Sequence, residues 1–207
     1  MRKGIIFAGG DFSAKMDLKN IILEGSIVIC ADSGYDNALK AGATVDAIIG
    51  DMDSVKTSLP DGIKQIKLKC EKDDTDTEAC IDYLEYLGCK EIILLGALGG
   101  RADHMLANIM LIVYAAKKGL KLTIKTEDTE IFSVSGSAEI EGEKGDILSL
   151  IPVLSDVEGV TLTGLKYSLS GAVLKVGKTV GISNEFVENK ACITVKKGLV
   201  IAVKVKR

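Results

Sequence analysis

From residue 4 to residue 124, short apolar runs alternate with helical patterns, and most of the runs are continuous rather than alternating. They are Gly4–Ala8, Ser26–Ala31, Ala47–Ile49, Ile63–Leu68, Ile92–Leu95 and Leu120–Ile124. A strand that is apolar at every position must be covered on both faces, the condition met by a parallel sheet flanked by helices. Helical periodicity falls between the runs, near Tyr35–Ala41, Thr77–Leu87 and Met105–Lys117. In the second of these, Cys80, Ile81, Leu84 and Leu87 share one face; the third is apolar almost all round and should be well buried. Strand–helix alternation predicts an open, largely parallel α/β sheet with right-handed crossovers.

Past about Lys125 no long helical pattern occurs. Thr129–Val134, Asp146–Pro152, Val157–Leu162, Ala172–Val176, Ala191–Val195 and Leu199–Val205 read as short strands, many of them alternating. Gly136, Gly142, Gly145, Gly159, Gly164, Gly171, Gly177, Gly181 and Gly198 read as the turns that separate them. The expectation is an α/β domain over residues 1–125 and a smaller all-β domain, a sandwich or barrel, over residues 126–207. No Pro/Ser-rich linker marks the boundary, and there is no internal repeat.

Composition removes several classes. With 26 basic and 29 acidic residues, the net charge of −3 gives no electrostatic case for nucleic acid. No apolar run approaches the roughly 20 residues of a membrane span. The opening Met1-Arg2-Lys3 and Gly4–Ala8 are cut short by Gly9-Gly10-Asp11, so they read as a first strand of a cytoplasmic protein. Five cysteines without a C-x-x-C motif point to a reducing compartment, and a single histidine leaves little to hold zinc.

The apolar runs end in polar, acidic or glycine-rich segments, and in an open α/β sheet ligands bind beyond the carboxyl ends of the strands. Gly9-Gly10 come after the first run, Asp32-Ser33-Gly34 after the second, and Asp51-Met52-Asp53 after the third. Asp51 and Asp53, two residues apart on extended chain, project to one side. Their charges repel unless a cation lies between them. Alone the pair reads equally well as a turn; the other acidic clusters favour a hard cation such as Mg2+. In Asp73-Asp74-Thr75-Asp76, Thr75 and Glu78 fit a capping box before the second helix, and Asp73 is the best carboxylate left for a metal. In Gly96-Ala97-Leu98-Gly99-Gly100-Arg101-Ala102-Asp103-His104, the glycines allow close approach of a phosphate, Arg101 offers a fixed cationic fork, and Asp103 is a candidate N-cap of the third helix. His104 reads as a polar surface or supporting residue. Gly164-Leu165-Lys166-Tyr167 and Gly181–Phe186 read by themselves as ordinary β-turns. Neither G-x-x-x-x-G-K-S/T nor G-x-G-x-x-G occurs.

Taken in order, Ala31-Asp32-Ser33-Gly34, Ile49-Gly50-Asp51-Met52-Asp53-Ser54, Lys72-Asp73-Asp74-Thr75-Asp76, Gly96 through His104, Gly164-Leu165-Lys166-Tyr167 and Ile182-Ser183-Asn184-Glu185-Phe186 resemble the bacterial type of thiamine pyrophosphokinase. Each piece is weak alone; the ordered set spans nearly the whole chain. The resemblance implies Mg2+-dependent transfer of a pyrophosphoryl group from ATP to the hydroxyl of thiamine, giving thiamine diphosphate and AMP. It implies a cytoplasmic homodimer with thiamine at the dimer interface.

By position, the resemblance makes Asp51, Asp53 and Asp73 the metal ligands. Asp51, Asp73, Arg101 and Asp103 become catalytic. Gly9, Gly10, Asp32, Thr75, Asp76, Gly99, Gly100 and Arg101 fall to the nucleotide and its phosphates, and Ser183, Asn184 and Asp103 to thiamine. The family often has Asp-Gly-Gly where this chain has Asp32-Ser33-Gly34. With no tryptophan in the chain, aromatic stacking on thiamine would fall to Phe186 or Tyr167. Two rivals share some of these features: a D-x-D glycosyltransferase, which has no use for the Gly-Gly-Arg-x-Asp turn, and a non-catalytic binder, which would have lost carboxylates that are present here.

Overall fold

The computed structural model describes residues 2–52, 57, 62–67 and 75–207, and the chain divides into two compact units, Met1–Glu127 and Asp128–Arg207. In the first unit the strands are β1 (Lys3–Phe7), β2 (Ile27–Ala31), β3 (Ala47–Gly50), β4 (Lys64–Lys67), β5 (Glu91–Leu95) and β6 (Lys121–Lys125). The helices are α1 (Gly34–Lys40), α2 (Asp76–Tyr86) and α3 (Ala102–Lys117). All the strand pairs of this unit are parallel, in the order β4-β3-β2-β1-β5-β6.

Continuous apolar strands are explained by what covers them. Ile5 and Phe7 pack with Tyr35 and Ala38 of α1, together with Val28, Cys30 and Ile48. Gly4 turns the other way, where a Cβ would lie 2.5 Å from Leu84 of α2. Both faces of β1 are therefore roofed by helices, and Ile5, Ile6 and Phe7 are all fully buried. Thr75 caps α2 as its sequence promised, its hydroxyl accepting from the Glu78 N–H at 3.2 Å. Lys118 ties α3 to α2: its ammonium donates to Asp82 at 2.7 Å and pairs with Glu85 at 2.7 Å, while Tyr114 donates to the same Asp82 oxygen at 2.7 Å.

The sheet order matters for function. From β1 the chain builds outward through β2, β3 and β4, then returns to place β5 on the other side of β1. The loops after β1 and β5 therefore diverge, leaving a crevice above their carboxyl ends.

The second unit is antiparallel: β7 (Thr129–Glu141), β8 (Ile147–Thr163), β9 (Leu169–Leu174), β10 (Asn184–Glu185) and β11 (Lys190–Val205). Strand β8 pairs with β9, β10 and β11, and β11 pairs with β7. Its strands are fewer and longer than the sequence suggested. Asp146–Pro152 and Val157–Leu162 are halves of the 17-residue β8, and Ala191–Val195 and Leu199–Val205 are halves of the 16-residue β11. The intervening glycines bend strands without ending them. Gly159 (φ 68°) and Gly198 (φ 105°) lie inside β8 and β11, where the pairing register shifts, and Gly136 (φ 79°) lies inside β7. A bulge adds a residue and a bend but keeps the ladder going.

The bent strands let Leu148, Leu150, Val157, Val160, Ile193 and Val200 share one core with Phe186. Phe186 is fully buried, and Gly142 packs so closely on its ring that a Cβ would lie 2.8 Å from it. Phe186→Ala should lower unfolding stability by about 3–5 kcal/mol, read as a shift in a urea melt followed by circular dichroism.

Candidate functional site

A cleft of about 710 Å³ opens in the first unit above the carboxyl ends of its strands. It is lined by Ala8, Gly9 and Gly10 after β1, by Asp32 and Ser33 after β2, and by Asp51 after β3. Thr75 and Asp76 at the start of α2 and Gly99, Gly100, Arg101 and Asp103 leading into α3 complete it. Every described residue assigned from the sequence to metal or nucleotide therefore lines one cavity. Asp53 and Asp73 lie outside the described residues.

Each wall has a local cause. The turn after β2 holds Asp32 at φ 44°, its N–H donating to the Ile49 carbonyl at 2.9 Å and its carbonyl accepting from Tyr35 N–H at 3.1 Å. Asp32 is only 8% exposed. Gly50 sits against it so closely that a Cβ there would lie 2.9 Å from the Asp32 Cβ, which brings the ends of β2 and β3, and so Asp32 and Asp51, to one wall. The Gly9-Gly10 loop is pinned from below. Gly10 N–H donates to Gly96 O at 2.7 Å, and the buried Asn37 amide donates to Ala8 O and Gly10 O at 2.8 and 2.9 Å. On the opposite side the chain turns through Gly99 (φ 82°) and Gly100 (φ 67°), conformations that glycine adopts without penalty. Asn108 of α3 steadies this loop by donating to Ala97 O at 2.9 Å.

Arg101 and Asp103 form an exposed two-point ion pair, with Nε donating to Oδ1 at 3.1 Å and a terminal guanidinium nitrogen to Oδ2 at 2.6 Å. The Arg101 hydrogen bond, helped by the His104 N–H, lowers the Asp103 carboxyl to about 2. The N-cap expected of Asp103 is not what forms. Helix α3 begins at Ala102 with Arg101 at the cap position, and Asp103, one residue inside, accepts from the His104 N–H at 3.0 Å. Its carboxylate is drawn sideways because the guanidinium two residues earlier is a stronger partner than a neutral N–H. His104, read from sequence as a surface or supporting residue, lines the cleft itself.

In the second unit, the Asn184 amide donates to Tyr167 O at 2.7 Å and accepts from the N–H groups of Tyr167 and Glu185 at 2.9 and 3.0 Å. Asn184 is buried, and these bonds staple the 183–185 turn to the 166–167 segment. Ser183 is exposed at φ 59°, its N–H held by Ser149 Oγ at 3.0 Å. Of the two aromatic residues considered for thiamine, Phe186 is sealed in the core, whereas Tyr167 is 63% exposed. Sequence reading missed Asn37, Asn108 and Ser33; Asn37 shares the buried side of α1 with Tyr35 and Ala38, but Asp36 and Lys40 in the same short helix leave a polar residue there unremarkable in sequence.

The donors of the cleft are carboxylate and hydroxyl oxygens with one histidine and no sulfur, a set suited to a hard cation and a polyphosphate. Among the described residues no three His, Cys, Asp or Glu side chains gather tightly enough to hold a metal by themselves. Fold and cleft together define a class: an α/β protein with an acidic, glycine-lined crevice at its topological switch point.

Comparison with known proteins narrows the class to a family. The model of the thiamin pyrophosphokinase catalytic domain matches residues 18–124, and that of the thiamin pyrophosphokinase vitamin B1 binding domain matches residues 123–200. The chain belongs to the thiamine pyrophosphokinase family, whose enzymes form thiamine diphosphate by pyrophosphoryl transfer. It is 30% identical to the thiamine pyrophosphokinase of Bacillus subtilis over 96% of each chain. The crystal structure of a Bacillus subtilis thiamine pyrophosphokinase superposes with a TM-score of 0.89 over 100% of both chains at 27% identity. That of Geobacillus thermodenitrificans superposes at 0.84 with 25% identity, covering 100% of this chain and 98% of that one. Thiamin pyrophosphokinase from Candida albicans, at 17% identity, shares the fold with a TM-score of 0.81, over 99% of this chain and 89% of that one. Among the described residues no helix is long and apolar enough to cross a membrane.

Proposed function

We propose that the chain transfers the pyrophosphoryl group of ATP to the hydroxyl of thiamine in the presence of Mg2+, releasing AMP and thiamine diphosphate, as a cytoplasmic homodimer. The observation that carries this reading is the single cleft that gathers Asp32, Asp51, Asp76, the Gly9-Gly10 loop and the Gly99-Gly100-Arg101 turn at the switch point of the sheet.

The charges fit. ATP carries about four negative charges, which bare carboxylates would repel at contact distance. Asp51, with Asp53 and Asp73, would hold Mg2+, which would supply the charge neutralisation that the polyphosphate needs. Gly9, Gly10, Gly99 and Gly100 allow the polyphosphate to approach the backbone, with Asp32, Thr75 and Asp76 along the same wall. Arg101 would offset charge on the transferred group and on departing AMP. Before ligand arrives its guanidinium is paired with Asp103 at the rim of the cleft. Thiamine, a cation, suits the acidic lining; Ser183, Asn184 and Asp103 are assigned to it, Asn184 by holding the turn that presents Ser183.

The attacking group is an alcohol. A loose phosphoryl-type transition state needs an oriented nucleophile more than a strong base. Asp103 or Asp73 orients the hydroxyl and accepts its proton late. While paired with Arg101, Asp103 is a weak base, because its folded pKa lies below the ordinary carboxylate value. A carboxyl depressed in this way stays ionised down to about 2, and its charge is lost only as pH falls through that value. The activity ratio of Asp103→Asn to wild type should therefore be flat between about pH 5 and pH 9. A ratio that bends in that range would mean that Asp103 titrates there.

The reading is tested by incubating the protein with ATP, Mg2+ and thiamine and following nucleotides by chromatography. Thiamine-dependent AMP is expected. Binding of both ligands without AMP would make the chain a non-catalytic binder, and turnover of a nucleotide sugar instead would make it a glycosyltransferase.

A further inference from the structure

Ser33 occupies the cap position before α1 but does not cap it: its backbone is helical (φ −59°, ψ −9°) and its side chain makes no bond to the helix. Its hydroxyl lies over the Gly9 backbone, so close that a Cβ on Gly9 would collide with Ser33 Oγ and lie 3.3 Å from Ser33 Cβ. Both residues line the cleft. A serine at this position normally spends its hydroxyl on a backbone N–H two or three residues on. Here that option is given up, and the hydroxyl lies against Gly9, in the loop of the cleft where a polyphosphate would approach.

We propose that Ser33 is a donor-recognition residue: its hydroxyl donates a hydrogen bond to a non-bridging phosphate oxygen of the nucleotide, and Gly9 is glycine to leave room for it. This rests on ATP being the ligand of the cleft, as in the proposed function. Three features favour phosphate over the other ligand. Ser33 shares its corner with the Gly9-Gly10 loop, it comes from the turn that places Asp32 on the wall shared with Asp51, and its hydroxyl is not used to cap α1. A hydrogen bond to a charged acceptor outweighs one to a neutral group, so losing it should be visible in binding.

Ser33→Ala removes only the hydroxyl. It should raise KM for ATP about tenfold, with KM for thiamine unchanged and kcat altered by less than about threefold. A second variant pair isolates the geometry. Gly9→Ala should raise KM for ATP through the clash with Ser33 Oγ. The double variant Gly9→Ala, Ser33→Gly should be no worse for ATP than Ser33→Gly alone, because without that side chain the added Cβ meets nothing nearer than the Gly34 nitrogen at 3.8 Å. Thermal melts of each variant identify any loss of fold. An unchanged KM for ATP in a folded Ser33→Ala protein, or a rise in KM for thiamine instead, overturns the proposal. Neither result touches the proposed reaction, which stands on thiamine-dependent AMP formation by the wild-type chain. Absence of that AMP would remove the reaction itself.

Discussion

Asp51→Asn is expected to lower kcat by about three orders of magnitude while leaving the melting temperature within about 2 °C of wild type. The change is nearly isosteric and falls at the mouth of β3, outside the buried run Ala47–Ile49 that anchors the strand. What it removes is a charge. Asp51 stands on the wall of the cleft next to the turn of Asp32, where its carboxylate is the described member of the proposed Mg2+ set. An amide oxygen is a poor ligand for a hard cation, and the polyphosphate would then meet the acidic wall with its charge uncompensated. Steady-state rates at saturating Mg2+, ATP and thiamine, with circular dichroism as the control for folding, give the comparison. Wild-type turnover in a folded Asp51→Asn protein would remove Asp51 from the metal.

Gly34→Ala should cost about 3 kcal/mol or more and is expected to yield little folded protein. A Cβ at this position would overlap the Phe7 carbonyl oxygen, with the Phe7 carbonyl carbon at 2.5 Å and the Ala8 Cα at 2.9 Å. These are backbone atoms of the central strand and the loop that follows it, so no rotamer change relieves the overlap. Helix α1 would have to lift away from β1, carrying Asp32 and Ser33 out of the cleft. Gly42→Ala is the matched control. Its φ is 66° but nothing lies within 4 Å of the added Cβ, so it should cost only about 1 kcal/mol. Chemical denaturation of the two variants side by side reads the difference.

The parallel half of the fold was legible because its strands are apolar at every position, a pattern few environments other than a two-sided sheet satisfy. The six strands and three helices expected before residue 125 all form. The ends of those strands were legible for the same reason: where an apolar run stops at Gly9, Asp32 or Asp51, the chain has reached the rim of the sheet. In the second half, glycine misled. Gly159 and Gly198 were read as turns, yet each sits in a bulge inside a long strand, and the side-chain alternation on either side is the same for both outcomes. Only pairing with a partner strand separates a bend from a reversal, and pairing is not local.

Within the site, the acidic and glycine positions were readable because their chemistry is unusual in a core. Asn37 and Ser33 were not. Their roles depend on which loop folds over them, the Gly9-Gly10 loop from far earlier in the chain. Asp103 sits two residues past the cap position expected of it, because the helix starts at Ala102 and its carboxylate pairs with Arg101. Phe186 was ambiguous: a lone aromatic beside a turn can serve a ligand or a core, and the close approach of Gly142 decides for the core. The contributions assigned to Asp53 and Asp73 rest on the sequence.

The most direct test is to supply ATP labelled at the β-phosphorus together with Mg2+ and thiamine, and to follow where the label goes. Transfer of an intact pyrophosphoryl group places the β label in thiamine diphosphate and leaves unlabelled AMP, formed one for one with product and only when thiamine is present. ADP as the nucleotide product, or AMP released at the same rate without thiamine, would contradict it.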